Sequence, residues 1–333
     1  MTQSKKIAVL GANGRLSREV ARAFHTKDWQ VRAVTRNGKS EALANLAGME
    51  FVAADAMNQD QVIQATLGCA VIFNGLNPVY TEWAGKCMPM AENVLAALRK
   101  HGAIHLFPGN IYNFGSTLPE TLTPHTPARP DHGKAHIRVQ MENLFAEAAK
   151  RDNIQTINLR SGDFFGGDGT GSWFDLVVSN KITKGKVTYP GNPNILHAWA
   201  YLPDVAKAFV ELAEKADTLS NFENFHFDGH NITGDQMYRA LEVAMGKNLK
   251  RDALPGFVIK VLGWFNPQMR EVSEVFYQWN TPHQVKDSRL SEVIGNVPHT
   301  NLEEAVRSAL VGQGHMKDEA RDIKIGSIQI AAE

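Results

Sequence analysis

A glycine-containing turn near the start of the chain has the residue types and the spacing of a phosphate-binding loop. The run Leu10–Ser17 reads LGANGRLS and places two glycines between an apolar stretch and an amphipathic one. Glycines at a strand-to-helix turn let a pyrophosphate approach the backbone, and the N-terminus of the following helix favours an anion. The turn therefore predicts a dinucleotide site, with pyrophosphate contacts from Gly11, Asn13, Gly14, Arg15 and Leu16.

The end of the second predicted strand carries a cation. Arg36 stands where a carboxylate would bind the adenosine ribose of NAD, and where an arginine would accept the 2′-phosphate of NADP. The residue type favours NADP as the cofactor, with NAD as the alternative; a solvated surface arginine is the competing interpretation. Asp55, after the third predicted strand, is expected to accept a hydrogen bond from the adenine amino group, unless it caps the helix that begins near Asn58.

Short β-branched runs alternate with helical patterns, and these elements must position the turn. The interval is that of βαβ units, about 30 residues, so the pattern predicts an α/β fold with a Rossmann-type doubly wound parallel sheet of six or seven strands. The predicted strands are Lys6–Leu10, Gln30–Thr35, Glu50–Ala53, Ala70–Asn74, Ile104–Pro108 and Ile154–Leu159. The helices between them are Arg15–His25, Lys39–Ala47, Asn58–Leu67, Thr81–His101 and Gly133–Arg151.

Beyond the sixth strand the alternation loosens, which predicts a second unit. We expect a dinucleotide-binding Rossmann domain in residues 1–160, joined again by residues 195–228, and a smaller, mostly helical C-terminal substrate lobe in residues 161–194 and 229–315. Residues 316–333 are expected to form a tail. The later predicted helices are Ser172–Ser179, Pro203–Lys215, Thr233–Met245, Pro255–Asn280 and Asn301–Leu310.

The composition excludes several classes of function. The chain has 333 residues, and its 35 Lys plus Arg balance its 35 Asp plus Glu, so no net charge attracts nucleic acid or an anionic membrane. Two cysteines exclude a disulfide scaffold, and the 12 histidines are too scattered to predict a metal site. The most apolar late segment, Phe257–Phe265, is too short to span a bilayer. We therefore expect a cytoplasmic protein that binds a small-molecule substrate, without a nucleic-acid or membrane partner; homodimerisation stays open.

These features resemble the extended and atypical short-chain dehydrogenase/reductase superfamily, in particular its NAD(P)-dependent epimerase/dehydratase-like members, over about residues 5–310. The carriers of the resemblance are the glycine turn with Ser17 in its third slot, Asp55, Asn74, Leu159-Arg160 with Phe165-Gly166, and the segment Trp199–Ala206. The resemblance implies an NAD(P) cofactor. The remaining predicted cofactor contacts are Asn74, Gly75 and Leu76 after the fourth strand, Pro108, Gly109 and Asn110 at the end of the fifth, and Arg138.

The catalytic motif departs from the family pattern. Active members carry Tyr-x-x-x-Lys near the start of the helix before the sixth strand, followed by a Glu four residues after the Lys. Aligning that Glu with Glu142 places Arg138 at the Lys position and Lys134 at the Tyr position, whereas a looser register uses His132 and His136. Neither register contains a Tyr. The family's Ser or Thr at the end of the fifth strand is missing as well.

Three residues are candidates for the missing chemistry. Arg138 can bridge the ribose hydroxyls as a lysine does, because both donate several N–H bonds. Lys134 could act as an acid if its pKa were strongly lowered, and Tyr112 could bring a phenol to the site from the loop after the fifth strand. His132 or His136 would need no such tuning. The competing interpretation is a solvated first helical turn and a Tyr112 that only packs.

Polar and aromatic residues around the sixth strand are expected to meet the substrate at the carboxyl ends of the sheet. They are Asp163, Phe164, Phe165, Trp173, His197 and Trp199; a packed hinge between lobes is the alternative. The sequence thus predicts an atypical NADP-dependent oxidoreductase that transfers a hydride to or from a carbonyl or alcohol of a small, sugar-like or aromatic substrate. Two alternatives remain: an NAD(P)-binding sensor or regulator without catalysis, and a nucleotide-sugar epimerase or dehydratase.

Overall fold

The structure, a computed structural model, describes residues 5–317 and contains short strands throughout. The strands are β1 Lys6–Leu10, β2 Gln30–Thr35, β3 Glu50–Ala53, β4 Val71–Asn74, β5 Ile104–Asn110, β6 Thr121–Leu122, β7 Thr156–Ser161, β8 Asp163–Phe165, β9 Lys186–Pro190, β10 Leu196–Tyr201, β11 Phe222–His226, β12 His230–Thr233, β13 Lys250–Leu254 and β14 Gln284–Val285. The helices are α1 Arg15–Thr26, α2 Gln59–Thr66, α3 Trp83–His101, α4 Gly133–Asp152, α5 Leu202–Glu214, α6 Gly234–Met245, α7 Gly256–Phe265, α8 Pro267–Glu274, α9 Ser288–Ile294 and α10 Leu302–Gly312.

Seven strands form the central sheet in the order β11-β7-β5-β4-β1-β2-β3. Every neighbouring pair in it is parallel, so all seven strands end at the same edge. Helices cover both faces, as a parallel sheet requires: α1 and α5 pack on one side and α3 and α4 on the other. The predicted Rossmann-type α/β fold is confirmed, and the first three strands have the predicted bounds.

Three predicted helices differ from the structure. The segment Lys39–Ala47 contains only a 3₁₀ turn, Glu41–Leu43. The predicted helix Pro255–Asn280 is broken into α7, α8 and a 3₁₀ turn, because Pro267 cannot continue a helix and the side chain of Asn266 instead accepts hydrogen bonds from the first backbone N–H groups of α8. A third predicted helix, Ser172–Ser179, is a single π-helical turn, Phe174–Val178.

The later part of the chain is predicted to be mostly helical, but it also contains several short strands that the sequence did not reveal. β8, β10 and β12 form a three-stranded sheet, and β9 pairs with β13 and β6 with β14. These strands are two to six residues long and pair with distant partners, so no local period reveals them. No helix among residues 5–317 is long and apolar enough to cross a bilayer. The predicted tail, residues 316–333, lies outside the described residues except for its first two positions.

Candidate functional site

The predicted phosphate-binding turn is built by close backbone packing between the ends of β1 and β4. Gly11 has φ of +67°, and a Cβ there would lie 2.9 Å from the carbonyl oxygen of Gly75. A Cβ on Gly75 would in turn collide with Oγ of the buried Ser17. Gly14 is the N-cap of α1, and no side chain among residues 5–317 caps this helix, so its first N–H groups are open to an anion. The turn fits a dinucleotide pyrophosphate.

The guanidinium of Arg15, one of the predicted pyrophosphate contacts, is paired within the protein. Its guanidinium forms a two-pronged ion pair with the buried Asp175 and donates to the carbonyl oxygen of Gly166 at 2.5 Å. Asp175 also accepts from the backbone N–H of Ser172 at 2.8 Å. The side chain of Arg15 therefore ties α1 to the later part of the chain, and its backbone N–H remains available to a pyrophosphate.

Arg36 lies exposed at the carboxyl end of β2 and makes no ion pair or hydrogen bond with the rest of residues 5–317. The turn that carries it is ordered: the backbone N–H of Lys39 donates to Oγ1 of Thr35 at 3.0 Å, and Nδ2 of Asn13 donates to the carbonyl oxygen of Lys39 at 3.1 Å. The Arg36 guanidinium is thus free to bind an anion beside the glycine turn.

Asp55 is exposed after β3, and one of its oxygens accepts the backbone N–H of Met57 at 3.0 Å. It does not cap α2. That role belongs to Asn58, whose side chain accepts the backbone N–H of Gln61 at 3.1 Å. The other carboxylate oxygen of Asp55 is left for a ligand.

The end of β5 is held by Arg138, which donates to the carbonyl oxygen of Pro108 at 2.6 Å and lies 4.7 Å from the ring centroid of Phe107. Burial lowers the pKa of Arg138, and its Nε has no partner among the described residues. Two further predicted cofactor contacts lie here. The Asn110 side chain accepts a hydrogen bond from the backbone N–H of Tyr112 at 3.1 Å, and Gly109 leaves room for the side chain of Arg160. Asn74 and Leu76 lie beside them at the end of β4.

Two tyrosine hydroxyls meet above β4 and β5. The Tyr112 and Tyr80 oxygens are 2.7 Å apart, within a hydrogen bond. Burial, and then the neighbouring Tyr80, raises the pKa of Tyr112 well above its ordinary value, and burial raises the pKa of Tyr80 to about 12. Sequence reasoning missed Tyr80, because no motif marks its position six residues after β4. Both phenols therefore carry their protons at neutral pH.

Lys134 is buried in the first turn of α4, and its ammonium is already paired. Nζ contacts Oε2 of Glu271 at 2.5 Å and Oε2 of Glu274, and it lies 5.1 Å from the centroid of the Tyr80 ring. The two glutamates come from α8, far away in the sequence, and were not predicted. His132 caps α4 by accepting the N–H of Ala135 at 3.3 Å. The two carboxylates hold Lys134 as an ion-pairing group beside the phenols.

An Asp–His pair lies at the carboxyl end of β7. Nε2 of His197 is 2.8 Å from Oδ2 of Asp163, and the His197 ring stacks on Trp279 with centroids 4.1 Å apart. The negative charge of Asp163 contributes, after burial, to the raised pKa of both Tyr80 and Tyr112. Asp163 is thus close to the phenols, at the place predicted for substrate.

The other predicted substrate residues have packing roles. Phe165 and Trp199 are buried in a common aromatic cluster, Trp173 packs on its edge, and Phe164 packs against the core of the central sheet. Nδ1 of His197 is buried there and has no hydrogen-bond partner within residues 5–317. This cluster is the base on which Asp163 and His197 sit.

Together these groups follow successive strands of one sheet edge. The glycine turn and Arg36 follow β1 and β2, whereas Tyr80, Tyr112 and Asp163 follow the neighbouring strands β4, β5 and β7. In open α/β sheets, ligands bind in the crevice beyond the carboxyl ends of the strands. This edge of the sheet therefore has two parts: a cofactor half, formed by the glycine turn and Arg36, and a reacting half, which contains the titratable side chains of Tyr80, Tyr112 and Asp163.

A pocket of about 940 Å³ lies outside this crevice, between α9 and the loop after β6. Its lysine and its arginine are already paired: Lys286 with Asp228 at 3.0 Å, and Arg289 with Glu223 at 2.6 Å. Within residues 5–317 no cluster of three or more His, Cys, Asp or Glu side chains could hold a metal ion. The crevice at the strand ends is the candidate active site.

Comparison with known proteins identifies the family. A sequence profile of the NAD dependent epimerase/dehydratase family matches residues 7–226, and the chain belongs to this family. Among solved structures, UDP-N-acetylglucosamine 4-epimerase from Bacillus cereus has 14% identity and a TM-score of 0.72, covering 94% of this chain and 98% of its own. UDP-glucose 4-epimerase from Thermus thermophilus, in complex with NAD, has 16% identity and a TM-score of 0.72, covering 92% and 98%. These likenesses show the fold. No sequence among the curated proteins matches the chain.

Proposed function

We propose that this protein is an NADP-dependent reductase that converts a carbonyl of a small, uncharged substrate into an alcohol. The observation that carries the proposal is the hydrogen-bonded pair Tyr80–Tyr112 at the carboxyl ends of β4 and β5. It brings phenols to the crevice although the first turn of α4 offers Lys134 where the family has its tyrosine. We assign residues 161–194 and 229–315 to the lobe that encloses the substrate.

The cofactor half has the residues that a dinucleotide needs. The open first turn of α1 and the glycine contact between Gly11 and Gly75 would hold the pyrophosphate, Arg36 the 2′-phosphate, and Asp55 the adenine. Arg138 lies under the end of β5, where the nicotinamide ribose would bind. When bound, the reduced cofactor supplies the hydride. The NAD complexes among the structural relatives support dinucleotide binding, and Arg36 supports the choice of NADP.

The proton comes from Tyr112 in this proposal. A phenol whose pKa is raised by burial stays protonated at neutral pH, so it can donate to the developing alkoxide but cannot serve as a base. Donation leaves Tyr112 as a phenolate; Tyr80, its partly exposed hydrogen-bond partner, can pass a proton to it and take one from solvent in return. Because Tyr112 carries its proton at rest, this assignment favours reduction over the epimerase reaction, which begins with removal of a proton from a hydroxyl.

The charges of the reacting half support an uncharged substrate. Each of three buried cations has an acceptor already: Lys134 has Glu271 and Glu274, and Arg160 has both oxygens of Glu142. The third, Arg138, donates to a backbone carbonyl. Asp163 adds a carboxylate that would repel a phosphate and accept a hydrogen bond from a hydroxyl. A polyol or an aromatic alcohol is the product class that these groups favour.

The test is NADPH oxidation with a panel of aldoses, ketoses and aromatic aldehydes. For a substrate found in this way, Tyr112→Phe should lower kcat about 100-fold or more, the usual contribution of a positioned acid, with little change in NADPH affinity. Tyr238→Phe is the matched control, because Tyr238 is a buried tyrosine of α6 whose hydroxyl donates to a backbone carbonyl 3.4 Å away.

Undiminished turnover in Tyr112→Phe would contradict the assignment of the proton donor. Tight NADPH binding without turnover of any substrate would favour the alternative of a sensor or regulator.

A further inference from the structure

The outward face of α7 is apolar, which is unusual for a helix at a protein surface. Phe257, Val261, Trp264 and Phe265 are spaced i, i+4, i+7 and i+8, so they share one stripe. They expose 67%, 43%, 79% and 84% of their surface. The opposite face of α7 is also apolar, but it is buried: Ile259 packs into the aromatic cluster of the later part of the chain. A helix that is apolar all round is normally covered on every side.

The charges near this stripe are cationic. Between Asp252 and Glu271 the sequence contains no acidic residue, and its two charged residues are Lys260 and Arg270, both exposed. The acidic residues of α8, Glu271 and Glu274, turn away toward Lys134. The surface therefore combines two aromatic side chains at the end of a helix with flanking positive charge.

The fold holds this stripe outward. α7 and α8 form a tight hairpin at Asn266, in which a Cβ on Gly263 would lie 3.0 Å from Cα of Arg270. α8 is fixed to the start of α4 by the Lys134 ion pairs, and the backbone N–H of Gly133 donates to Glu274 at 2.7 Å. The hairpin is thus anchored on its inner side, and the apolar stripe cannot fold back onto the same anchored surface.

We propose that α7 docks this protein on the surface of a bilayer that contains anionic lipids. Trp and Phe side chains favour the boundary between headgroups and acyl chains, and lysine or arginine beside them is attracted by acidic headgroups. A second copy of the chain is a poorer occupant, because pairing two such stripes would bring Lys260 and Arg270 of both copies together. This proposal differs from the expectation, made from the sequence, that the protein has no membrane partner. That expectation used the net charge of the whole chain, which is zero and does not reveal a local patch of cationic and aromatic side chains.

The experiment is sedimentation of the purified full chain with two kinds of vesicle, one of phosphatidylcholine alone and one rich in phosphatidylglycerol. We expect binding to the anionic vesicles. Replacing both tip aromatics (Trp264→Ser with Phe265→Ser) should abolish it, and Lys260→Gln or Arg270→Gln should each weaken it about fivefold, because one cation near such a surface contributes about 1 kcal/mol. Val243→Ser is the matched control: Val243 is 57% exposed, but on α6.

Three results would overturn the proposal: no sedimentation with anionic vesicles, equal sedimentation of the aromatic double variant, or a concentration-dependent dimer that the double variant abolishes in the absence of lipid. Circular dichroism melting of each variant separates loss of docking from loss of fold. Because all five substituted side chains, including the control Val243, are exposed, their replacement should leave the melting temperature unchanged.

Discussion

Removing the side chain of Arg36 tests the cofactor preference directly. Arg36 is exposed and has no partner among residues 5–317, so Arg36→Ala should leave the stability of the fold unchanged. A hydrogen bond to a charged group is worth about 1.5–3 kcal/mol. Losing it would weaken NADPH binding about tenfold to 150-fold. NADH has no 2′-phosphate, so its affinity should stay within about twofold. The preference for NADPH should therefore disappear.

Titration calorimetry with NADPH and, separately, NADH measures this prediction. Arg239→Ala is the matched control, since Arg239 is an exposed arginine of α6 and its loss changes the net charge of the protein equally. Titration at two salt concentrations isolates the direct contact, because screening weakens long-range attraction more than a contact hydrogen bond. If wild type binds NADH as tightly as NADPH, or if both arginine variants lose equal affinity, the reasoning from Arg36 to the 2′-phosphate is refuted.

Two further predictions concern buried ion pairs. Glu142→Gln leaves Arg160 buried without its carboxylate, which should lower the free energy of unfolding in urea at pH 7 by about 3–5 kcal/mol. Burial alone would raise the pKa of Glu142, but the charge and hydrogen bonds of Arg160 hold this pKa below its usual range. The stabilisation is therefore present above about pH 4.3, the pKa of a glutamate in the unfolded chain, and is lost as the pH falls through the lower pKa of the folded state. A wild-type advantage that stays constant from pH 7 to pH 3 would contradict this. Asp175→Asn should loosen the contact between α1 and the later part of the chain. Hydrogen exchange of the backbone amides should then be faster at Ser172 and in the first turn of α1 than in the wild type. Equal exchange in the variant and the wild type would show that the Arg15–Asp175 pair does not hold these segments together.

The central sheet was predictable from the sequence because its strands are buried on both faces. Runs such as Lys6–Leu10 read as nearly continuous apolar segments, and the glycine turn marks where the first of them must end. The helix predicted at Lys39–Ala47 failed for a local reason: the backbone N–H of Lys39 donates to Thr35, so the chain enters a turn. Asn266–Pro267 likewise breaks a helix that apolar periodicity alone would continue.

The reacting half was less predictable, because its groups come from separate loops. Tyr112 could be proposed from its place after β5, but its partner Tyr80 lies 32 residues earlier in a segment without a motif. Glu271 and Glu274 lie about 140 residues after the lysine that they contact. Pairings at such separations leave no period in the sequence and emerge only when the parallel sheet brings the strand ends to one edge.

Burial and nearby negative charge set the resting protonation state of the Tyr112 phenol. In the family pattern the lysine four residues after the tyrosine lowers the phenol's pKa, so one residue can take a proton and return it. Here Arg138 stands at the position of that lysine, Lys134 is paired with two carboxylates, and Asp163 adds negative charge near the phenols. The charge of Asp163 adds to burial in keeping Tyr112 protonated. Because the resting phenol carries its proton, it can donate one when a carbonyl is reduced, whereas oxidation of an alcohol would first require the loss of that proton; this resting state supports the proposed reduction.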